Sequence, residues 1–189
     1  GGIHATLMPE EVKKHKFIDD VVVGDGFQYF GGEFKPDELW PDREIFFKEL
    51  PPICRRVQLF MTSFGCPFNC SFCGNEQLRA VKQYKYIKRT VDGCIAELMD
   101  MKKHGMKYVL FVDDILTVDK AWFLEFMKEY KTFINLPFCC FGHPKYLDED
   151  IIKALADSKC HTVWIGIQSG DERLRKDILN RPESNKEIV

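Results

Sequence analysis

Five consecutive apolar residues, Tyr108-Val109-Leu110-Phe111-Val112, leave this chain a strand with no polar face. Such a run cannot edge a half-solvated antiparallel sheet. It predicts a central parallel strand covered on both faces. Parallel neighbours need crossovers, and helical patterns flank the run on either side. Upstream, Val57-Gln58-Leu59-Phe60-Met61-Thr62 reads as a strand, and a helix follows that Thr90 caps and Gly105 stops, with Val91, Ile95, Leu98 and Met99 on its apolar face. Downstream, Asp119 to Phe133 puts Trp122, Phe126 and Tyr130 on one stripe with Phe123 and Met127 beside it. A third strand, Phe138 to Phe141, precedes a helix from Asp148 whose face is Ile151, Ile152, Leu155 and Ala156. A fourth, Val163-Trp164-Ile165-Gly166-Ile167, leads into a helix starting at Asp171. Four β-α units in series predict an α/β fold, a parallel sheet or barrel with right-handed crossovers.

The remaining composition narrows the partners. Of 189 residues 45% are hydrophobic, enough to bury a sizeable core. The 27 basic and 29 acidic residues balance to -2, and no Lys or Arg cluster suggests a nucleic-acid groove. No apolar stretch approaches the roughly 18 residues of a membrane span, so the expected location is cytoplasmic. The chain opens on Gly1-Gly2-Ile3 without Met and ends inside a helical pattern, and so reads as part of a longer protein.

Leu50-Pro51-Pro52-Ile53 is a stiff joint between two compositions. The expected organisation is an N-terminal segment over 1–35, a linker over 36–52 and an α/β unit over 53–189. In the first, Ile18 to Gly26 predicts a short strand ending in a glycine turn, and Lys35 to Phe47 is irregular.

In parallel α/β barrels the loops at the C-terminal strand ends converge on one mouth. Here the predicted strands run into Cys66, Asp113-Asp114, His143 and Gln168-Ser169-Gly170, so polar groups fall at one end of every strand. His143 can reach such a pocket or serve as a turn residue.

Eight cysteines in a chain of this size, three of them within eight positions, point to a metal site rather than a disulfide scaffold. Cys66, Cys70 and Cys73 in Gly65-Cys66-Pro67-Phe68-Asn69-Cys70-Ser71-Phe72-Cys73 have C-x3-C-x2-C spacing. One tight loop of this kind can ligate three corners of a four-iron cubane and leave the fourth iron open. The alternative is tetrahedral zinc with Cys54 or Cys94 as fourth ligand, although zinc motifs favour two paired C-x2-C knuckles and only one pair exists here. Cys94, Cys139, Cys140 and Cys160 read as small buried residues.

The loop Thr62 to Cys73 resembles the signature of the radical S-adenosylmethionine (SAM) superfamily, whose fold is a full or partial (β/α) TIM-like barrel. The likeness extends through Ile87-Lys88-Arg89-Thr90-Val91 and Phe111-Val112-Asp113-Asp114 to Gly166-Ile167-Gln168-Ser169-Gly170-Asp171-Glu172. It implies a [4Fe-4S] cluster on the three cysteines that reductively cleaves SAM to a 5'-deoxyadenosyl radical, with an external low-potential electron donor. It also implies that Phe72 lies near the adenine, that Asp113 or Asp114 meets the methionyl amino group, and that Gln168 and Ser169 sit near the ribose or carboxylate, with His143 a further candidate. Family members commonly carry Arg at Phe64 and Glu at Gln168. The Gly31-Gly32-Glu33 triplet imitates the family's Gly-Gly-Glu motif but precedes the cysteine loop, and is read as chance.

The first thirty residues resemble the closing segment of a cobalamin-binding Rossmann-like domain, which precedes the barrel in cobalamin-dependent radical SAM enzymes. This resemblance implies methylation of an unactivated carbon of a small-molecule or peptide substrate, with cobalamin in the full-length protein. A radical cyclisation or rearrangement, a methylthiotransferase sharing the Gln168-Ser169-Gly170 run, and a non-catalytic fragment with four of a usual six strands stay open.

Overall fold

Chain order and sheet order coincide in this protein. The computed structural model describes residues 1–24, 26–32, 35–38, 40–82 and 86–189. Its elements begin with the short helices α1 (Ile3–Leu7), α2 (Pro9–Lys13), α3 (Gly26–Tyr29), α4 (Arg43–Glu49) and α5 (Pro52–Arg56). Then come β1 (Val57–Phe60), β2 (Ser63–Gly65), α6 (Asn75–Lys82), β3 (Tyr86–Lys88), α7 (Val91–Lys103), β4 (Tyr108–Phe111) and α8 (Lys120–Glu129). The chain continues through β5 (Phe138–Gly142), α9 (Glu149–Asp157), β6 (Cys160–Ile165) and α10 (Asn185–Ile188). A π-helical turn, Tyr130–Ile134, extends α8, and a second, Leu174–Ile178, follows β6.

The main sheet is parallel, in the order β1-β4-β5-β6. Helices α7, α8 and α9 pack on one side of it. The side chains of Phe60, Phe111 and Cys140 point into a single core with Leu98 and Met101 of α7, Phe123 and Phe126 of α8, and Ile151 and Leu155 of α9. The result is an α/β layer, a parallel sheet wound in sequence order with α7, α8 and α9 packed on one face. Phe111 is the hub of this core, meeting Phe60, Phe126, Tyr130 and Phe138 edge to face at 5.2 to 6.0 Å. Thr90 caps α7 by accepting from the Gly93 amide at 3.1 Å, and Asp119 caps α8 through the Trp122 amide.

The opposite face differs from expectation. Val109 and Phe111 are fully buried, whereas Tyr108, Leu110 and Val112, on the side of β4 away from α7, α8 and α9, are half-buried. The register continues that face through Leu59 on β1 and through Phe141 and Trp164 on β5 and β6, all exposed. On the helices Met99, Ile152 and Ala156 turn out to solvent, and Cys94 and Glu97 take the buried places beside Leu98. The last strand starts three residues ahead of the apolar run Val163 to Ile167 and stops two residues short of that run's end.

The N-terminal expectations need correction. No strand precedes Val57 among the described residues, and Ile18 to Val23 is coil. No neighbouring strand pairs with it, and the Asp20 side chain caps the amide of Val21 at 2.7 Å. Asp25 and Glu33 lie outside the described residues. Within the expected linker, Arg43–Glu49 form α4 and Phe47 is buried. Pro51 precedes α5 and Pro52 begins it, a position where a missing N–H costs nothing. Arg43 opens α4 and ion-pairs with Glu97, whose other oxygen accepts from Arg89 at 2.7 Å. Asp37 accepts from Arg89 Nε at 3.0 Å and from the Thr90 amide and hydroxyl at 3.0 and 2.9 Å. Asp37 and Arg43 are therefore tied to α7 and to the Arg89 that precedes it. No described helix is long and apolar enough to cross a membrane.

Candidate active site

The cysteine loop leaves β1 through a second, two-stranded sheet that sequence periodicity did not reveal. Ser63, Phe64 and Gly65 pair antiparallel with Lys88, Ile87 and Tyr86. Gly65 ends the pairing at φ 85°, a left-handed conformation open to glycine, and delivers Cys66 to the mouth of the sheet. The loop then closes on itself, with the Cys73 amide donating to the Cys70 carbonyl at 3.0 Å.

Cys66, Cys70 and Cys73 line one cleft of about 180 Å³ with Phe72, Asp114 and His143. Beside it a second hollow of about 150 Å³ runs between Cys66, Asp114, Asn75 and Ile3 of α1, so the N-terminal segment reaches the site. Burial pushes the Cys66 thiol up, and the Asp114 carboxylate with Cys70 and Cys73 adds to the push. Burial likewise raises the Cys70 thiol, against the pull of the Arg181 guanidinium. Three thiolates and a carboxylate around one cleft repel each other, and a cationic metal centre relieves that repulsion. No three His, Cys, Asp or Glu side chains converge on a single point among the described residues, as ligands of one ion would. Ligands of three different irons have no need to. The fourth ligands considered for zinc are elsewhere. Cys94 is fully buried in the core, and Cys54 sits on α5 before the N-terminal end of β1, opposite the loop.

Two adjacent aspartates at the end of β4 do different things. Asp113 is fully buried. It accepts from the Thr62 amide at 3.1 Å, the Thr62 hydroxyl at 2.6 Å and the Ser63 hydroxyl at 2.5 Å, which ties the root of the cysteine loop to the neighbouring strand. Asp114 is exposed in the cleft, 3.3 Å from the Asn75 amide that donates to it.

The fourth strand end departs from the expected mouth. Gln168 and Ser169 do not line the cleft, although Gly166 does. Gln168 adopts a left-handed backbone, φ 69°, which folds its side chain back onto Gly166. A Cβ at Gly166 would stand 2.6 Å from Gln168 Nε2, so a side chain there would displace the Gln168 amide. Ser169 serves its own turn, accepting from the Asp171 amide at 3.1 Å.

His143 is buried and stacks on Phe68 of the cysteine loop at 4.3 Å and 24°. Its Nδ1 accepts from the Lys145 amide at 3.3 Å, and burial pushes its pKa down to about 4. The neutral ring therefore carries its proton on Nε2, which faces Glu183 Oε2 at 3.4 Å. Sequence reasoning missed what surrounds it. Glu183 and Arg181 are buried behind the loop, and Arg181 lines the cleft with Cys70. Arg79 of α6 donates to the Phe68 carbonyl and holds the loop from the other side. These residues sit in ordinary polar stretches, and only their burial marks them.

Comparison with known proteins follows this geometry. The family described as the Radical SAM superfamily matches residues 60–189. An uncharacterized methyltransferase of Pyrococcus horikoshii is 31% identical over 116 residues, 60% of this chain and 25% of that protein. Bacteriochlorophyllide d C-8(2)-methyltransferase of Chlorobaculum tepidum is 24% identical over 233 residues, covering 100% of this chain and 48% of its own. The radical SAM methyltransferase TsrM of Kitasatospora setae, solved with cobalamin and a [4Fe-4S] cluster, shares the fold at a TM-score of 0.57 and 20% identity, over 63% of this chain and 24% of that one. The chain thus spans between a quarter and a half of the length of these relatives.

Proposed function

Because the chain belongs to the radical SAM superfamily, we propose that it is the catalytic core of a cobalamin-dependent radical SAM methyltransferase acting on an unactivated carbon. The observation that carries this reading is the cleft in which Cys66, Cys70, Cys73 and Asp114 face one another. Cys66, Cys70 and Cys73 would hold a [4Fe-4S] cluster, which when bound would supply an open iron and the electron for reductive cleavage of SAM. The protein's own part is placement. Asp114 takes the methionyl ammonium by a charge-assisted hydrogen bond, while Asn75 orients its carboxylate. Phe72, exposed on the cleft wall, offers an apolar face to the adenine. Asp113 holds the loop's root and leaves ligand binding to its neighbour.

Methyltransferase chemistry is favoured by the names of the relatives, and cobalamin by the TsrM complex. Ile3 of α1 beside Cys66 is consistent with a preceding domain meeting the site from that side. The substrate class of the whole protein, small molecule or peptide, is part of this proposal, as is a low-potential electron donor.

Anaerobic reconstitution of the full-length protein tests it. Four irons per chain, 5'-deoxyadenosine on reduction with SAM, and copurifying cobalamin are expected. Stoichiometric zinc, or no nucleoside product, overturns the reading. Cys66→Ala, Cys70→Ala and Cys73→Ala each abolish cleavage, whereas Cys139→Ala, in the core, does not.

A further inference from the structure

The segment after β6 returns to grip the cysteine loop. The Ser71 amide donates to the Leu179 carbonyl at 3.2 Å, and the Ser71 hydroxyl to the Ile178 carbonyl at 2.6 Å. Asn180, at φ 50°, donates from Nδ2 to the Asn69 carbonyl at 2.7 Å. Three hydrogen bonds thus hold the residues on either side of Cys70, and they carry the chain directly into Arg181.

Arg181 is then fixed by what lies behind it. Its Nε meets Glu183 Oε1 at 2.5 Å, and both side chains are at least nine-tenths buried. The other carboxylate oxygen faces His143 Nε2, whose ring supports Phe68 between Cys66 and Cys70. Arg175, fully buried, donates to the Glu183 carbonyl at 3.4 Å and to the Ser169 carbonyl at 2.5 Å, so the backbone carrying Glu183 is braced too. A buried Arg–Glu pair is a costly device for stability alone, because desolvation offsets most of its attraction. Here it places a guanidinium in the wall of the cleft that holds Cys70.

We propose that Arg181, set by Glu183 and His143, is a positioning residue that stabilises the reduced state of the cluster on Cys66, Cys70 and Cys73 and so raises its reduction potential. The inference rests on the cluster reading above. In the step concerned one electron passes from the low-potential donor to the cluster, and no bond forms or breaks. The net charge of the cluster together with its three thiolate ligands becomes one unit more negative, and a fixed cation at the cleft wall favours the more negative state. The Arg181 guanidinium lines the same cleft as Cys70, and its partner carboxylate Glu183 is buried behind it. A loop support with no electrostatic part would leave the potential where it is.

The test is an electron-paramagnetic-resonance redox titration of the reconstituted full-length protein, with iron content measured alongside. Arg181→Met retains four irons and shifts the reduction equilibrium about tenfold toward the oxidised cluster, about 59 mV more negative for one electron. Arg181→Lys recovers most of that shift. Glu183→Gln removes the opposing charge, leaves Arg181 in place and moves the potential the other way. An unchanged potential in an iron-loaded Arg181→Met protein overturns the proposal. So does loss of iron from both Arg181→Met and Glu183→Gln, which would make the group a loop support alone. Failure of the wild type to load iron is a different result, and counts against the cluster reading itself.

Discussion

The Thr62 hydroxyl donates to Asp113 Oδ1 at 2.6 Å, and through that bond the strand entering the cysteine loop is fastened to the end of its neighbour. The same carboxylate takes the Thr62 amide and the Ser63 hydroxyl, so its loss would leave three buried donors unpaired. Asp113→Ala is expected to destabilise the protein by about 2–4 kcal/mol. The check is urea denaturation. A lower midpoint at unchanged slope is the predicted signature, and an unmoved midpoint contradicts it.

Lys88 sits in the same cluster, its Nζ donating to Thr62 Oγ1 at 3.1 Å and lying 3.7 Å from the Trp122 ring centroid. Burial pulls its pKa from 10.5 down to about 8. The unfolded chain therefore holds this proton more tightly than the folded one. Between about pH 8 and 10.5 the unfolded state binds more protons at this site, and the Lys88 contribution to stability rises with pH across that window. Tyr86 and Cys94 act in the opposite sense, since burial raises each to about 12. The difference between wild type and Lys88→Met isolates the lysine. That difference should grow in favour of the wild type from pH 8 to 10, and a flat difference refutes the assignment.

Gly93 in the first turn of α7 is required by its neighbour and not by its backbone. A Cβ there would stand 2.5 Å from Asp37 Oδ1. Alanine ordinarily gains about 1 kcal/mol over glycine inside a helix. Gly93→Ala is nonetheless expected to lower the melting temperature and to expose the chain around Asp37 to limited proteolysis, because Asp37 must leave the Arg89 and Thr90 donors. A stabilised variant in which that stretch stays protected would show the contact to be dispensable.

Much of the fold was legible because burial imposes a period. Val91, Ile95 and Leu98 repeat at helical spacing, Thr90 and Asp119 cap as their chemistry dictates, and the apolar β4 run marked the sheet centre. Met99 and Ile152 misled for the same reason, since an apolar residue at a helix edge satisfies the pattern and still faces water. Spacing singled out the three cysteines, and the structure gathers them at one cleft. Arg181, Glu183 and the roles of the two aspartates were not legible in that way, because they depend on contacts between residues far apart in the chain, which no local pattern encodes. The extended reading of Ile18 to Val23 failed for want of a partner strand: β propensity needs a neighbour to pair with.

Asp113 and Asp114 are adjacent in sequence and opposite in exposure, and this separates their variants. Asp114→Asn keeps the hydrogen-bonding shape beside Asn75 and removes the charge from the cleft. A charge-assisted bond is worth about 1.5–3 kcal/mol, so SAM affinity in the iron-loaded full-length protein should fall by about ten- to a hundredfold. Iron content should hold at four per chain, since the carboxylate raises the Cys66 thiol's pKa and its removal does not hinder thiolate formation. Folding stability should change little, because the group is exposed. Asp113→Asn should give the reverse pattern, a loss of stability with unaltered SAM affinity in the folded fraction. Isothermal titration with SAM beside urea denaturation reads both. Weakened binding in the Asp113 variant at full stability would transfer the ammonium-binding role to Asp113.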